Sequence, residues 1–132
     1  NFKYRDSGLS DDLIYLSASF KGFKKNKDLI RDEIISLKEK KEKAQPTRIK
    51  TGGSTFKNPI KQTNKKVWEL IKESVSLNTT FGDACISKKH CNFFINKKNA
   101  SFDDMKKLIE FVETNVEKKT GIKLEKEIKI LE

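Results

Sequence analysis

A chain of 132 residues, 35% apolar and 36% charged with a net charge of +10, is long enough to bury one core. It is too polar to cross a bilayer, since no apolar run approaches the roughly 20 residues that a spanning helix needs, and the opening Asn1-Phe2-Lys3-Tyr4-Arg5 forms no signal-peptide apolar region. The positive excess is carried by lysine: of 29 basic residues only Arg5, Arg31 and Arg48 are arginine, and base-reading surfaces rely on a bidentate fork that lysine lacks, which counts against nucleic acid as a partner.

In chain order, Asp6-Ser7-Gly8 and Asp11-Asp12 are turn-rich and precede Leu13 to Phe20, a run that predicts a strand, as though closing a sheet begun earlier. Asn26 to Lys43 reads as a helix with a narrow apolar stripe at Ile30, Ile34 and Leu37, ending near Gln45-Pro46 because proline disfavours helix in the residue before it. Thr47 to Pro59 follows as a polar loop whose paired Gly52-Gly53 let the backbone bend tightly or approach a ligand, the densest functional signal in the chain. A second helix, about Asn64 to Ser74, puts Val67, Trp68, Ile71 and Val75 on one face, a stripe most simply read as core.

Phe81 to Ser87 and Cys91 to Asn96 predict two short strands joined by a loop carrying Lys88, Lys89 and His90. A third helix has the sharpest start signal: Ser101 is a cap with Asp104 three residues on, followed by Met105, Leu108, Ile109, Val112 and Val116 at helical spacing. Gly121 ends it as a left-handed cap. From Ile122 to Ile130 apolar and polar residues alternate, which predicts a last strand with Glu125, Glu127 and Lys129 on its polar side and Lys126 interrupting the apolar one. Strands and helices without a βαβ repeat make the expected class α+β, about three helices packed on a mixed or antiparallel sheet.

Cys85 and Cys91 flank His90, but three potential ligands in one segment do not close a tetrahedron and no CxxC pair exists, so reduced thiols and no metal are expected. His90 is read as a structural hydrogen-bonding residue before a catalytic one.

Four ordered blocks go further than composition: Tyr4-Arg5-Asp6-Ser7, then Gly53-Ser54-Thr55-Phe56-Lys57-Asn58-Pro59, then Gly82-Asp83-Ala84-Cys85-Ile86-Ser87-Lys88-Lys89-His90-Cys91-Asn92-Phe93, and last Leu124-Glu125-Lys126-Glu127-Ile128. Together they resemble the C-terminal part of the UDP-N-acetylenolpyruvoylglucosamine reductases (the MurB family). The resemblance implies an FAD- and NADPH-dependent reduction of UDP-N-acetylglucosamine enolpyruvate to UDP-N-acetylmuramate, for peptidoglycan synthesis in the cytoplasm. It implies Ser54 as the proton donor and Glu127 as the acid that positions or stabilises the enolic carboxylate. It also implies Lys57, Asn58, Tyr4 and Arg5 as substrate contacts, and Gly53 as the glycine that lets cofactor and substrate come close.

On that resemblance residues 1–24 are the tail of a flavin-binding domain and 25–132 the substrate-binding domain. No flavin-holding half precedes Tyr4, so this chain alone is expected to hold no FAD and to be inactive until joined by an N-terminal flavin domain. Without the resemblance, Ser54 reads as a turn serine bonded to its own backbone and Glu127 as a solvated surface acid. Departures from the family pattern fall at Ile60, Val75 to Asn78, Cys85 and Lys126. Two other readings stay open: a basic module for nucleic acid or another polyanion, and a relic of the reductase that keeps the fold alone.

Overall fold

The computed structural model describes residues 2–10 and 12–131, so Asp11 of the predicted turn lies outside the described residues. Its elements are α1 (Lys27–Ala44), β1 (Lys50–Ser54), α2 (Val67–Ser74), β2 (Thr80–Phe81), β3 (Ala84–Ile86), β4 (Phe93–Asn96) and α3 (Phe102–Thr120). The fold class is α+β, as the sequence predicts. The chain divides into two compact units, with the boundary between Leu37 and Lys38.

In the first unit the strand predicted from Leu13 to Phe20 does not form. Strand propensity reports a fit to a pleated, half-buried surface, and among the described residues no strand pairs with this run: Ile14 is 86% exposed and Phe20 93%. Local chemistry does organise the start, where Lys3 and Asp6 exchange backbone hydrogen bonds of 2.8 and 3.3 Å around a left-handed Arg5 (φ 56°). The helix that follows is capped by Asn26, whose Oδ1 accepts from the amides of Asp28 and Leu29 at 2.8 and 3.4 Å. Asn26, expected as the first helical residue, is therefore the cap, and α1 starts one residue later. α1 buries none of its residues.

In the second unit a four-stranded antiparallel sheet has the order β1-β4-β3-β2. Leu70 and Ile71 of α2 meet Leu108, Ile109, Val112 and Val116 of α3 over Ala84, Ile86 and Phe94 of the sheet and Phe56 after β1, and these form the core. α3 starts on a reciprocal cap: Ser101 Oγ accepts from the Asp104 amide at 3.1 Å, and the Asp104 carboxylate accepts from the Ser101 amide at 2.9 Å. Those bonds from Ser101 hold the Asp104 carboxyl below its ordinary range. Gly121 (φ 72°) closes the helix, its amide bonding the Glu117 carbonyl at 2.8 Å.

Within this unit the second helix starts at Val67, three residues later than expected, and leaves Trp68 exposed, and the strands differ as well. Phe81 to Ser87 is not one strand but a hairpin turned at Gly82-Asp83; Gly82 has φ 53°, and a Cβ there would lie 2.6 Å from Asp104 Oδ2. The glycine-bearing loop contains β1, because its backbone pairs with β4. The last segment keeps its alternation, with Ile122, Leu124, Ile128 and Ile130 packed on the core, yet forms one bridge, Phe56 to Lys126, instead of a strand. Pairing stops there because the chain facing Lys123 is a side chain: the Gln62 carboxamide donates to the Lys123 carbonyl at 2.8 Å and accepts from its amide at 3.1 Å.

Candidate functional site

The serine motif sits on an edge strand made irregular by its glycines. Thr51 faces Ile95 and Ser54 faces Phe93, so three steps along β1 match two along β4. One residue is in excess, which is a β-bulge, the device that bends a strand and re-aims the side chains beyond it. Gly53 carries it with φ 84°, in the region where a side chain is strained, while nothing stands within 4 Å of the place a Cβ would take. Glycine is therefore required by the backbone there, and the space beside it is open. The Thr51 hydroxyl steadies the bulge, donating to the Phe94 carbonyl at 2.7 Å and accepting from the Gly53 amide at 3.2 Å.

Beyond half-buried Ser54 the chain is held from two sides. The Thr55 amide donates to the Asn92 carbonyl at 2.8 Å. Asn92, 4% exposed, then turns its carboxamide on Phe56, accepting from the amide at 3.0 Å and donating to the carbonyl at 2.9 Å. On the other side the Glu127 amide donates to the Thr55 carbonyl and the Lys57 amide to the Glu125 carbonyl, both at 2.8 Å. Ser54 and Glu127, 73 positions apart in the sequence, thus stand one diagonal step apart across a short antiparallel pairing. A regular pairing would send side chains so offset to opposite faces; here the pairing is short, with a bulge before Ser54 and a bend at Glu127-Ile128.

The other sequence candidates have structural duties as well. Lys57 Nζ pairs with Glu125 Oε1 at 2.5 Å. Asn58 Oδ1 accepts from the Val67 amide at 3.0 Å, fastening the start of α2 to the motif. Tyr4 and Arg5 belong to the first unit, where the Arg5 guanidinium lies 5.0 Å from the Tyr4 ring centre.

The turn from His90 to Asn92 joins this site to a cavity of about 310 Å³ lined by Trp68, Lys72, Leu77, Lys88, Lys89, His90 and Cys91. Three lysines give it a positive wall suited to an anion. His90 packs edge-on to Phe93 at 4.9 Å, and its Nδ1 accepts from the Asn92 amide at 3.3 Å. Burial holds its pKa below the ordinary 6.5, opposed in part by a backbone hydrogen bond. The Cys91 thiol donates to the Trp68 carbonyl at 3.0 Å, and burial pushes its pKa up, the opposite of an activated thiolate. Cys85 and Cys91 are both buried and unbridged, and the described residues hold no group of three metal-ligand side chains.

Thr51, Asn92 and Gln62 escape sequence reasoning. Each is an ordinary polar residue whose role comes from a backbone partner that folding brings near, and Asn92 lies 36 positions from Phe56. None leaves a local signal in the sequence: Gln62 is an exposed turn residue, and only Asn92 is buried.

Nothing described here cradles a flavin dinucleotide. The space beside Gly53 is open, but the glycines form no phosphate-binding turn at a helix start: α2 begins 14 residues after Gly53 and is capped at its N-terminus by Lys66 and Glu69. The residues present do not fit FAD as a group they hold by themselves. No helix of the described residues is long and apolar enough to cross a membrane.

Residues 45–131 match the family model of the UDP-N-acetylenolpyruvoylglucosamine reductase, C-terminal domain. The protein of that reductase name from Pelagibacter ubique (strain HTCC1062) is 72% identical over 130 residues, covering 98% of this chain and 43% of the relative. Those from Gluconobacter oxydans (strain 621H) and Wolbachia pipientis wMel are each 41% identical over 128 residues, covering 97% of this chain and 41% and 42% of the relatives. The chain therefore spans about two fifths of the length of the curated relatives it matches.

Proposed function

The chain belongs to the UDP-N-acetylenolpyruvoylglucosamine reductase family, and from that membership we propose that it is the substrate-binding portion of such a reductase, with residues 25–132 engaging UDP-N-acetylglucosamine enolpyruvate and residues 1–24 completing a flavin-holding part. FAD and NADPH then serve the complete enzyme. On this reading the flavin is held mainly by the part of such an enzyme that corresponds to the three fifths of the relatives' length this chain does not match, with residues 1–24 completing it.

The observation that carries this reading is the pairing that sets Glu127 diagonally across from Ser54. Reduction of an enolpyruvyl ether builds negative charge on the carbon beside a carboxylate, and the product forms once that carbon takes a proton. A serine hydroxyl is a weak acid in water, but it can protonate a strongly basic carbon when geometry is fixed and solvent excluded. Ser54, half-buried on a bulge held at both ends, answers that need. Glu127 serves to orient or stabilise the enolic carboxylate, and the open side of Gly53 leaves room for the ligand. Lys57 and the lysine-lined cavity supply the positive charge that a diphosphate calls for.

The test separates the two halves of the reaction in the complete flavin-loaded enzyme. Ser54→Ala is expected to leave flavin reduction by NADPH intact and to slow reduction of the enolpyruvyl substrate by about 10²–10⁴, the usual worth of a positioned proton donor. Glu127→Gln should slow the same step. Full turnover in Ser54→Ala would remove the assignment.

A further inference from the structure

On each side of Ser54 a side chain occupies a place where a regular ladder would use main chain. Before it, at the bulge, the Thr51 hydroxyl donates to the Phe94 carbonyl at 2.7 Å and accepts from the Gly53 amide at 3.2 Å. After it, the Asn92 carboxamide makes both bonds that a neighbouring strand would make to Phe56, at 3.0 and 2.9 Å. This leaves the Thr55 carbonyl aligned to accept from the Glu127 amide. The backbone sets the direction of the serine Cα–Cβ bond, from which the hydroxyl reaches through a few staggered rotamers, and here that backbone is held on both sides.

We propose that Thr51 and Asn92 are positioning residues for proton delivery: Thr51 holds the bulge that aims Ser54, and Asn92 holds the register that keeps Glu127 beside it. The inference rests on the reading of Ser54 as the proton donor. Neither residue touches the reacting atoms. Their effect is on distance and angle, where a misplacement of about 1 Å costs a reaction on the order of 10²-fold. Without the Thr51 hydroxyl the Gly53 amide loses the acceptor that holds it at 3.2 Å, and the bulge relaxes around a glycine that favours no single conformation.

Four variants of the complete flavin-loaded reductase test this. Thr51→Val keeps the shape and strand preference of threonine and removes the hydroxyl; Thr51→Ser restores it. Thr51→Val and Asn92→Asp should each lower kcat for the enolpyruvyl substrate by roughly tenfold or more, with KM within about threefold and flavin reduction by NADPH unchanged. Thr51→Ser should return kcat to within about threefold of the parent. In amide spectra the Gly53 and Ser54 resonances should move in Thr51→Val while those of α3 stay. A Thr51→Val enzyme with parental kcat overturns the proposal, as does a Thr51→Ser enzyme as slow as Thr51→Val, or a change confined to KM. Should Asn92→Asp fail to fold, the Thr51 pair decides alone. Ser54→Ala, run alongside, separates the failures: if it keeps full turnover the proton-donor reading itself falls, whereas a slow Ser54→Ala beside a parental Thr51→Val removes only the positioning role.

Discussion

Gly53 shows how one backbone angle constrains a site. Its φ of 84° suits glycine, while the space beside it is open, so Gly53→Ala meets strain without a clash. The expected destabilisation is about 1–2 kcal/mol, read from denaturant midpoints, the cost of putting a Cβ in the left-handed region. An alanine variant as stable as the parent would show that the bulge relaxes freely. His90 makes the second residue-level case. It is the one histidine in the sequence, so its ring resonances are unambiguous. Burial lowers its folded pKa, so the neutral ring contributes stability above pH 6.5 that is lost as pH falls through the lowered value. A proton titration should give a midpoint below 6.5; a midpoint above it would contradict the half-buried setting against Phe93.

Elements with local causes are the ones the sequence predicts well. α3 announces both ends, through Ser101 and Asp104 at one and Gly121 at the other, and its boundaries follow. The strands depend on partners far along the chain, and here local pattern misleads. Leu13 to Phe20 has the composition of a strand and no partner strand among the described residues, while Lys50–Ser54, with two glycines, is a strand because β4 pairs with it. The cap of α3 carries a testable pH dependence. Asp104 has a lowered folded pKa, so its contribution is present above the ordinary carboxylate value and fades as pH falls through the lowered one. The gap in melting temperature between the parent and Asp104→Asn should therefore be widest near neutrality and close on acidification. A gap that persists unchanged at low pH would mean that charge is not what the cap uses.

At the scale of the whole molecule, the serine motif and the C-terminal acid are visible in the sequence as parts of an ordered family pattern, but their adjacency is not. It is made by the Phe56 to Lys126 bridge, by the bond from the Glu127 amide to the Thr55 carbonyl, and by Asn92, contacts spanning 36 to 72 positions that no periodicity encodes. Composition points elsewhere, since a net charge of +10 suits any polyanion equally well. What separates a nucleotide-sugar site from a generic basic surface is therefore where the ligand acts. Amide resonances of the chain, followed in moderate salt during titration with UDP-N-acetylglucosamine enolpyruvate and with an unrelated oligonucleotide, test this most directly. The account predicts shifts concentrated at Thr51 to Asn58 and Glu125 to Glu127 with the nucleotide-sugar and none there with the oligonucleotide. Shifts spread over exposed lysines with both ligands, or a nucleotide-sugar response that leaves Ser54 and Glu127 unmoved, would contradict it.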